Sequence, residues 1–168
     1  MNKEKEQIRM LARNAIVAAI YFVITISLGS FGFLNIQIRI SEAFVLLCFF
    51  RKDYTIGLTL GCLIANIFSP IGVVDVIFGT LATLISCLLI SFSKQLAIAS
   101  IFPIVANAFI IGIELHLVME FPLWLTILQV AIGEAISIVI GYVILILIGK
   151  RKKVQLAIGA NQNLEFKW

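Results

Sequence analysis

Residues 121–149 read FPLWLTILQVAIGEAISIVIGYVILILIG, and this stretch decides the class of fold. It exceeds the roughly 20 mostly apolar residues that a membrane-spanning helix needs, and Glu134 is its only charged residue. The chain as a whole has 168 residues, of which 61% are hydrophobic and 13% charged, more apolar surface than a soluble domain of this length can hide. The sequence therefore predicts an all-α integral membrane protein. Further windows without any charge meet or approach the spanning length: 14–38, 54–74, 76–93 and 95–113.

A sixth apolar segment, residues 40–50, is shorter and lies between Arg39 and Arg51. As an α-helix it would cover only about 16 Å, roughly half of a bilayer core. It can complete a span only if upstream residues join it, or if part of it lies in a protein-lined cavity. We predict one membrane domain over residues 1–168, a compact bundle of six transmembrane helices with a short cytoplasmic tail at 154–168. The predicted spans lie near 13–33, 40–50, 55–70, 75–93, 96–114 and 123–149.

The distribution of cationic residues predicts the orientation of this bundle. With six spans, twelve of the 13 Lys and Arg residues fall on the side of both termini, and Arg39 alone falls on the other. Cytoplasmic loops carry such an excess, so we predict cytoplasmic termini and a multi-pass protein of the bacterial plasma membrane. The net charge of +4 is then an orientation signal rather than a nucleic-acid footprint.

Residues 36–41 read IQIRIS, with apolar and polar residues in strict alternation. A period of two predicts an extended segment. Because bare backbone cannot face lipid, we predict that this segment forms a lid over a pocket, with an ordinary external loop as the alternative. In span five, Pro103 predicts a kink.

Small residues recur at four-residue spacing in three of the predicted spans. Such stripes let helix backbones approach closely inside a membrane. They serve either internal packing or docking to a partner membrane protein, and span one is the better docking candidate. The stripes are Ala15 and Ala19 in span one, Gly57, Gly61 and Ala65 in span three, and Gly133, Ser137 and Gly141 in span six.

Four acidic side chains, Glu42, Asp75, Glu114 and Glu134, lie inside or at the edge of predicted spans. A charged residue at the bilayer centre costs about 2.5–3.5 kcal/mol, so such residues persist mainly where they face a cavity, a partner or a ligand. Alternatives remain open: Asp75 can cap its helix, Glu114 can lie among lipid headgroups, and Glu42 can pair with Arg39. Glu134 has no cation near its depth and is the strongest candidate for function.

No catalytic motif is present, so we predict that the chain is not an enzyme. Lys150 follows Gly149 without the other residues of a phosphate-binding P-loop, so the chain cannot itself couple transport to ATP. Cys48, Cys62 and Cys87 lack the spacing of a zinc site and are predicted to be small buried residues. We therefore expect no metal and no cofactor in this chain.

Several short motifs resemble the QueT family. Residues 35–43, NIQIRISEA, look like its N-x-Q-x-R-I-S-E-A signature. Residues 57–66, GLTLGCLIAN, and 75–84, DVIFGTLATL, are similar to its next two motifs, and Gly133 with Glu134 matches a G-E pair in its last span. The resemblance covers about residues 9–150.

This resemblance implies a substrate-binding S component of an energy-coupling factor (ECF) transporter, with an outward-facing pocket capped by the first loop. It implies a queuosine precursor as substrate, a preQ1-like aminomethyl-deazaguanine. It also implies three partners: the transmembrane coupling subunit EcfT, docked through Ala15 and Ala19, and the cytoplasmic ATPases EcfA and EcfA', which use ATP. The candidate substrate-binding residues are Asn35, Gln37, Arg39, Ser41, Glu42, Asn66, Asp75, Asn107, Glu114, Trp124 and Glu134.

The chemistry of a deazaguanine suits an acidic pocket. One carboxylate can accept hydrogen bonds from the ring N–H and the neighbouring amino group, and a second can pair with the cationic aminomethyl group. We assign these roles to Glu134 and to either Glu42 or Asp75. We assign hydrogen bonding to the remaining ring edges to Gln37, Asn66 and Asn107. We assign stacking on the ring to Phe31, Phe33 and Trp124.

Two other functions fit the same residues. One is a self-contained proton-coupled carrier in which Glu114 and Glu134 relay protons. The other is a membrane scaffold whose polar residues only hold helices together. The sequence leaves open which deazapurine or other vitamin-like solute binds, and whether the energy module is dedicated or shared.

Overall fold

The computed structural model describes residues 3–28, 38–149 and 151–158, and all regular structure in these ranges is helical. Four of the eight elements are at least 19 residues long, and a four-residue helix directly precedes one of these four. The other three elements are shorter. In chain order they are α1 (Lys3–Ser27), a 3₁₀ helix (Ile40–Phe49), α2 (Tyr54–Asn66), α3 (Val73–Phe92), α4 (Leu96–Ala99), α5 (Ile101–Met119), α6 (Leu123–Ile148) and α7 (Lys152–Ala157).

Four helical segments of the described chain are long and apolar enough to cross a membrane: α1, α3, α4 with α5, and α6. The all-helical membrane-type fold predicted from the apolar windows is therefore confirmed. α4 and α5 form one segment that is interrupted at Ser100. Pro103 accounts for the interruption, because its ring clashes with the carbonyl group four residues earlier, at Ala99.

The 3₁₀ helix is the central element of the bundle. It packs against α1, α2, α3, α4 and α6, and side chains on several of its faces are buried. A 3₁₀ helix rises about 2.0 Å per residue, so its ten residues cover about 20 Å rather than the 15 Å of an α-helix. The expectation of α-helical geometry at residues 40–50 is therefore wrong, and the segment lies within protein.

The predicted extended segment at 36–41 is described only from Ile38 onward. Ile38 and Arg39 are non-helical, but Ile40 and Ser41 already belong to the 3₁₀ helix. At Ile40 and Ser41 the alternation of apolar and polar residues therefore does not correspond to a strand. Ser41 is buried because the tighter helix turns it into the bundle, not because a strand covers a pocket.

The exposed surface of the bundle is apolar. On α2 the exposed face carries Ile56, Leu60 and Ile64, which are 57%, 49% and 43% exposed and repeat at every fourth position. The long helices also expose large aliphatic and aromatic side chains. Contiguous apolar surface of this kind is unfavourable in water and suits contact with lipid.

Two of the small-residue stripes serve internal packing. A Cβ atom on Gly57 would lie 2.7 Å from the backbone oxygen of Asn14, and one on Gly61 would lie 2.8 Å from that of Ala18. α1 and α2 can therefore touch backbone to backbone, and the Gly57 N–H donates to Asn14 Oδ1 at 3.1 Å. Gly141 gives the same close approach between α6 and the 3₁₀ helix.

Polar contacts join several chain segments at one end of the bundle. Asp53 forms ion pairs with Arg51 at 2.8 Å and with Arg13 at 3.7 Å. The Lys52 ammonium lies 4.5 Å from the centre of the Phe92 ring. These contacts bring the start of α2 and the end of α3 to the N-terminal half of α1. The residues described next lie toward the other end of α2 and α3.

A buried polar cluster as the candidate binding site

Polar side chains from six elements and the segment before the 3₁₀ helix are buried inside the bundle. Ser41, Glu42, Asp75 and Glu114 are each at most 1% exposed, which is far below what free polar residues show. We define the polar cluster as the following residues: Tyr21, Arg39, Ser41, Glu42, Asn66, Asp75, Thr83, Asn107, Glu114 and Glu134.

Arg39 and Asp75 form a buried ion pair at one edge of the polar cluster. Arg39 Nη2 donates to both carboxylate oxygens of Asp75, at 3.0 and 3.2 Å, and Nη1 donates to Asn66 Oδ1 at 3.3 Å. Asn66 Nδ2 donates in turn to the backbone oxygen of Asp75 at 3.1 Å. This network ties the end of α2 and the start of α3 to the segment that enters the 3₁₀ helix.

This ion pair corrects two alternatives from the sequence. Asp75 does not cap its helix, because Gly72 is the residue at the N-cap of α3 and no side chain makes a cap hydrogen bond there. Nor is Glu42 the ion-pair partner of Arg39. The network also explains Gly79, since a Cβ atom there would lie 2.5 Å from Asn66 Nδ2 and 2.8 Å from Asp75 Oδ1.

Glu42 is held by hydroxyl donors instead. Its Oε1 accepts hydrogen bonds from the Tyr21 hydroxyl and from Thr83 Oγ1, the latter at 3.1 Å. Its Oε2 is buried and has no hydrogen-bond partner in the part of the chain that the structure describes. Next to it, Thr25 Oγ1 donates to Ser41 Oγ at 2.7 Å. One carboxylate oxygen of Glu42 is therefore buried without a hydrogen bond from any described residue.

Sequence reasoning missed Tyr21 as a member of the cluster. A signal was available, because Tyr21 and Asn14 are the buried residues of α1 and lie seven positions apart, two turns along one face. Thr83 is likewise absent from the predicted site residues. It reaches Glu42 because the 3₁₀ helix packs directly against α3.

Glu134 has a neutral partner. Asn107 Nδ2 donates to Glu134 Oε1 at 3.2 Å and to the backbone oxygen of Pro103 at 3.1 Å. Glu134 is 3% exposed, and Arg39 and Glu42 are near enough for their charges to act on it. The expectation that no cation lies near the depth of Glu134 is therefore wrong, because Arg39 is close enough for its charge to act on it. The hydrogen bond between Glu134 and Asn107 joins α5 to α6.

Glu114 has the fewest hydrogen bonds of the four carboxylates in the polar cluster. It is 1% exposed, and neither Oε1 nor Oε2 has a hydrogen-bond partner among the described residues. Its side chain is enclosed by protein, and the alternative that it lies at the depth of the lipid headgroups stays a prediction. Asp75 and Arg39 are near enough for their charges to act on it.

The other predicted site residues have mixed outcomes. Trp124 is 75% exposed, so the structure does not place it among the buried polar side chains. Asn35 and Gln37 lie outside the described residues, as do Phe31 and Phe33. The proposed stacking and ring-edge roles of these residues stay predictions.

The polar cluster as defined here is rich in hydrogen-bond acceptors. It contains four carboxylates but a single guanidinium, that of Arg39, which donates hydrogen bonds to Asp75 and Asn66. A ligand that supplies N–H donors and positive charge would complement it. Within the described ranges, no three His, Cys, Asp or Glu side chains come together as a possible metal site. Cys48, Cys62 and Cys87 are buried free thiols, as predicted.

Comparison with known proteins identifies the family. Residues 11–150 match the QueT transporter family. The queuosine precursor transporter QueT of Lactococcus lactis subsp. cremoris (strain MG1363) is 37% identical over 153 residues, which cover 82% of this chain and 90% of that protein. No solved structure matches the chain. The family is named for transport rather than for a reaction, and its name agrees with a multi-pass membrane protein. The chain belongs to the QueT transporter family.

Proposed function

We propose that this protein is the substrate-binding S component of an ECF-type importer that captures a queuosine precursor from outside the cell. The observation that carries this proposal is the buried, acceptor-rich polar cluster in a chain of the QueT transporter family. The relative from Lactococcus lactis is named a queuosine precursor transporter, which supports the choice of substrate. A deazaguanine ring carries adjacent N–H donors, and its aminomethyl form adds a positive charge.

The ring would bind at Glu134 and Asn107. Glu134 Oε1 already accepts one hydrogen bond from Asn107, which holds the carboxylate at a fixed position between α5 and α6. A carboxylate can accept from the ring N–H and the exocyclic amino group together. Asn66 and Arg39 form the opposite side of the cluster, where the network with Asp75 keeps them in place.

We propose a six-span topology in which the 3₁₀ helix and α2 complete the four long helical segments. The 3₁₀ helix covers about 20 Å and α2, with 13 residues, also about 20 Å, so each crosses most of a bilayer core when packed among longer helices. The excess of Lys and Arg on one predicted side supports cytoplasmic termini. The polar cluster then lies toward the outer half.

The proposed partners are EcfT, EcfA and EcfA'. Ala15 and Ala19 are exposed on α1, and only Asn14 and Tyr21 of that helix are buried. Small residues on an exposed helix face let a second helix approach closely in the membrane, which supports docking of EcfT there. The chain lacks a P-loop sequence, so hydrolysis of ATP falls to the partner subunits.

Uptake into proteoliposomes tests this function against the proton-coupled carrier. Vesicles contain either this chain alone or the chain with a coexpressed EcfT–EcfA–EcfA' module, and labelled aminomethyl-deazaguanine is added outside. We expect accumulation only with the module and ATP. Accumulation by the chain alone under an imposed proton gradient would support the carrier, in which Glu114 and Glu134 relay protons, and would overturn the S-component proposal.

A further inference from the structure

The hydrogen-bond donors of the polar cluster are distributed unevenly over its carboxylates. Asp75 receives two hydrogen bonds from Arg39, Glu42 receives two from hydroxyl groups, and Glu134 receives one from an amide. Glu114 receives none from any described residue, although it is as deeply buried as the others. Among the described residues, Glu114 is therefore the carboxylate without any hydrogen-bond partner, and it has the greatest need of a partner from a ligand.

The physical cost of this arrangement is large. A buried acceptor without a hydrogen bond forfeits its full desolvation energy, and for a carboxylate the loss is greater than for a neutral group. Arg39 donates hydrogen bonds to Asp75 and Asn66, and Glu114 receives no hydrogen bond from it or from any other described residue. A cationic donor that enters with the ligand would supply both the charge and the hydrogen bonds that Glu114 lacks.

Glu114 also stands at a suitable distance from the proposed ring site. It lies seven residues after Asn107 on the same face of α5, or about 10 Å along the helix axis. Asn107 holds Glu134, and Ile111 lies between Asn107 and Glu114 as a buried apolar side chain, 3% exposed. This separation along the helix is comparable to the length of a fused two-ring base with a short side arm.

We infer that Glu114 is the subsite for the primary ammonium group of the ligand and selects amine-bearing over nitrile-bearing deazaguanines. This inference rests on the proposed function and deepens it. It replaces the sequence-based assignment of the ammonium to Glu42 or Asp75, whose carboxylates already have donors from the protein. Glu134 keeps the role of holding the ring.

Calorimetric titration of the full chain in detergent with aminomethyl-deazaguanine and with cyano-deazaguanine tests the inference. In Glu114→Gln we expect the affinity for the amine to fall about 10- to 100-fold, the range of one charged hydrogen bond, and the affinity for the nitrile to stay within about twofold. Glu120→Gln, which changes an exposed carboxylate just after α5, should leave both affinities unchanged.

Each other outcome is decisive. An equal loss for both ligands, or no loss for either, would overturn the role of Glu114 and leave the proposed function standing. Failure of folded wild-type protein to bind either ligand would overturn both. Should Glu114→Gln not fold, the wild-type protein gives a second measurement with hydroxymethyl-deazaguanine, the neutral analogue. The inference requires that it bind at least about tenfold more weakly than the amine, and equal affinities would refute it.

Discussion

The ion pair between Arg39 and Asp75 makes a quantitative prediction about stability. Asp75→Asn removes the negative charge and leaves the guanidinium of Arg39, only 9% exposed, without its charged partner. Removing one partner of a buried pair costs about 3–5 kcal/mol, because the remaining charge is uncompensated. For a domain of this size, 1 kcal/mol corresponds to about 2–4 °C, so we expect Tm to fall by roughly 6–20 °C.

The protein carries its own reporter for this measurement. Cys48, Cys62 and Cys87 are buried free thiols, so a thiol-reactive dye should label them only as the protein unfolds on heating. Asp53→Asn is the matched control, since Asp53 pairs with Arg13 and Arg51 at a partly exposed site where an ion pair contributes about 0–1 kcal/mol.

A double-mutant cycle identifies the pair as the cause. If Arg39→Met is combined with Asp75→Asn, the double variant should be more stable than the sum of the two single losses implies, by at least about 1 kcal/mol. Strict additivity of the two losses, or a change in Tm for Asp75→Asn no larger than for Asp53→Asn, would refute the reasoning.

Three further predictions follow from other contacts. Gly61→Leu should lower Tm, because the new side chain meets the backbone of α1, and overpacking typically costs about 1–3 kcal/mol of stability. The smaller side chain of Gly61→Ala should lower the stability less. Tyr21→Phe should destabilise the protein by about 1–3 kcal/mol in the dye assay, because Glu42 loses a buried hydroxyl donor. Ala15→Trp with Ala19→Trp should abolish copurification with EcfT while leaving ligand affinity unchanged, since both side chains are exposed.

Each of these has its own control and counter-result. Leu125→Trp places the same bulk on an exposed position of α6 and should not affect copurification with EcfT. Retained copurification in the double tryptophan variant would move the docking surface elsewhere. A Tm for Gly61→Leu equal to that of the wild type would contradict the close approach of α1 and α2. An unchanged Tm for Tyr21→Phe would mean that the hydroxyl group contributes nothing to holding Glu42.

Much of the fold could be predicted from apolar length alone. The boundaries of α6 lie within two residues of those of the stretch 121–149, because a long apolar segment has few alternatives to a helix in lipid. The short elements could not be predicted in the same way. Residues 40–49 form a 3₁₀ helix that packs against five neighbouring helices, and a hydropathy profile contains no information about such packing.

The candidate site was predictable in its residue types but not in its pairings. The high cost of intramembrane carboxylates identified Glu42, Asp75, Glu114 and Glu134 as buried. Which donor serves which carboxylate depends on how helices distant in sequence come together. Arg39 and Asp75 are 36 residues apart, and no spacing rule within one helix connects them.

The central claim is that the polar cluster binds a queuosine precursor, and one titration tests it most directly. Purified wild-type protein and Glu134→Gln are titrated by calorimetry with aminomethyl-deazaguanine, cyano-deazaguanine, queuine and guanine. The account predicts saturable binding of at least one deazapurine by the wild type, and a loss of about tenfold or more in Glu134→Gln. Absence of binding by folded wild-type protein, or equal affinity in Glu134→Gln, would contradict it.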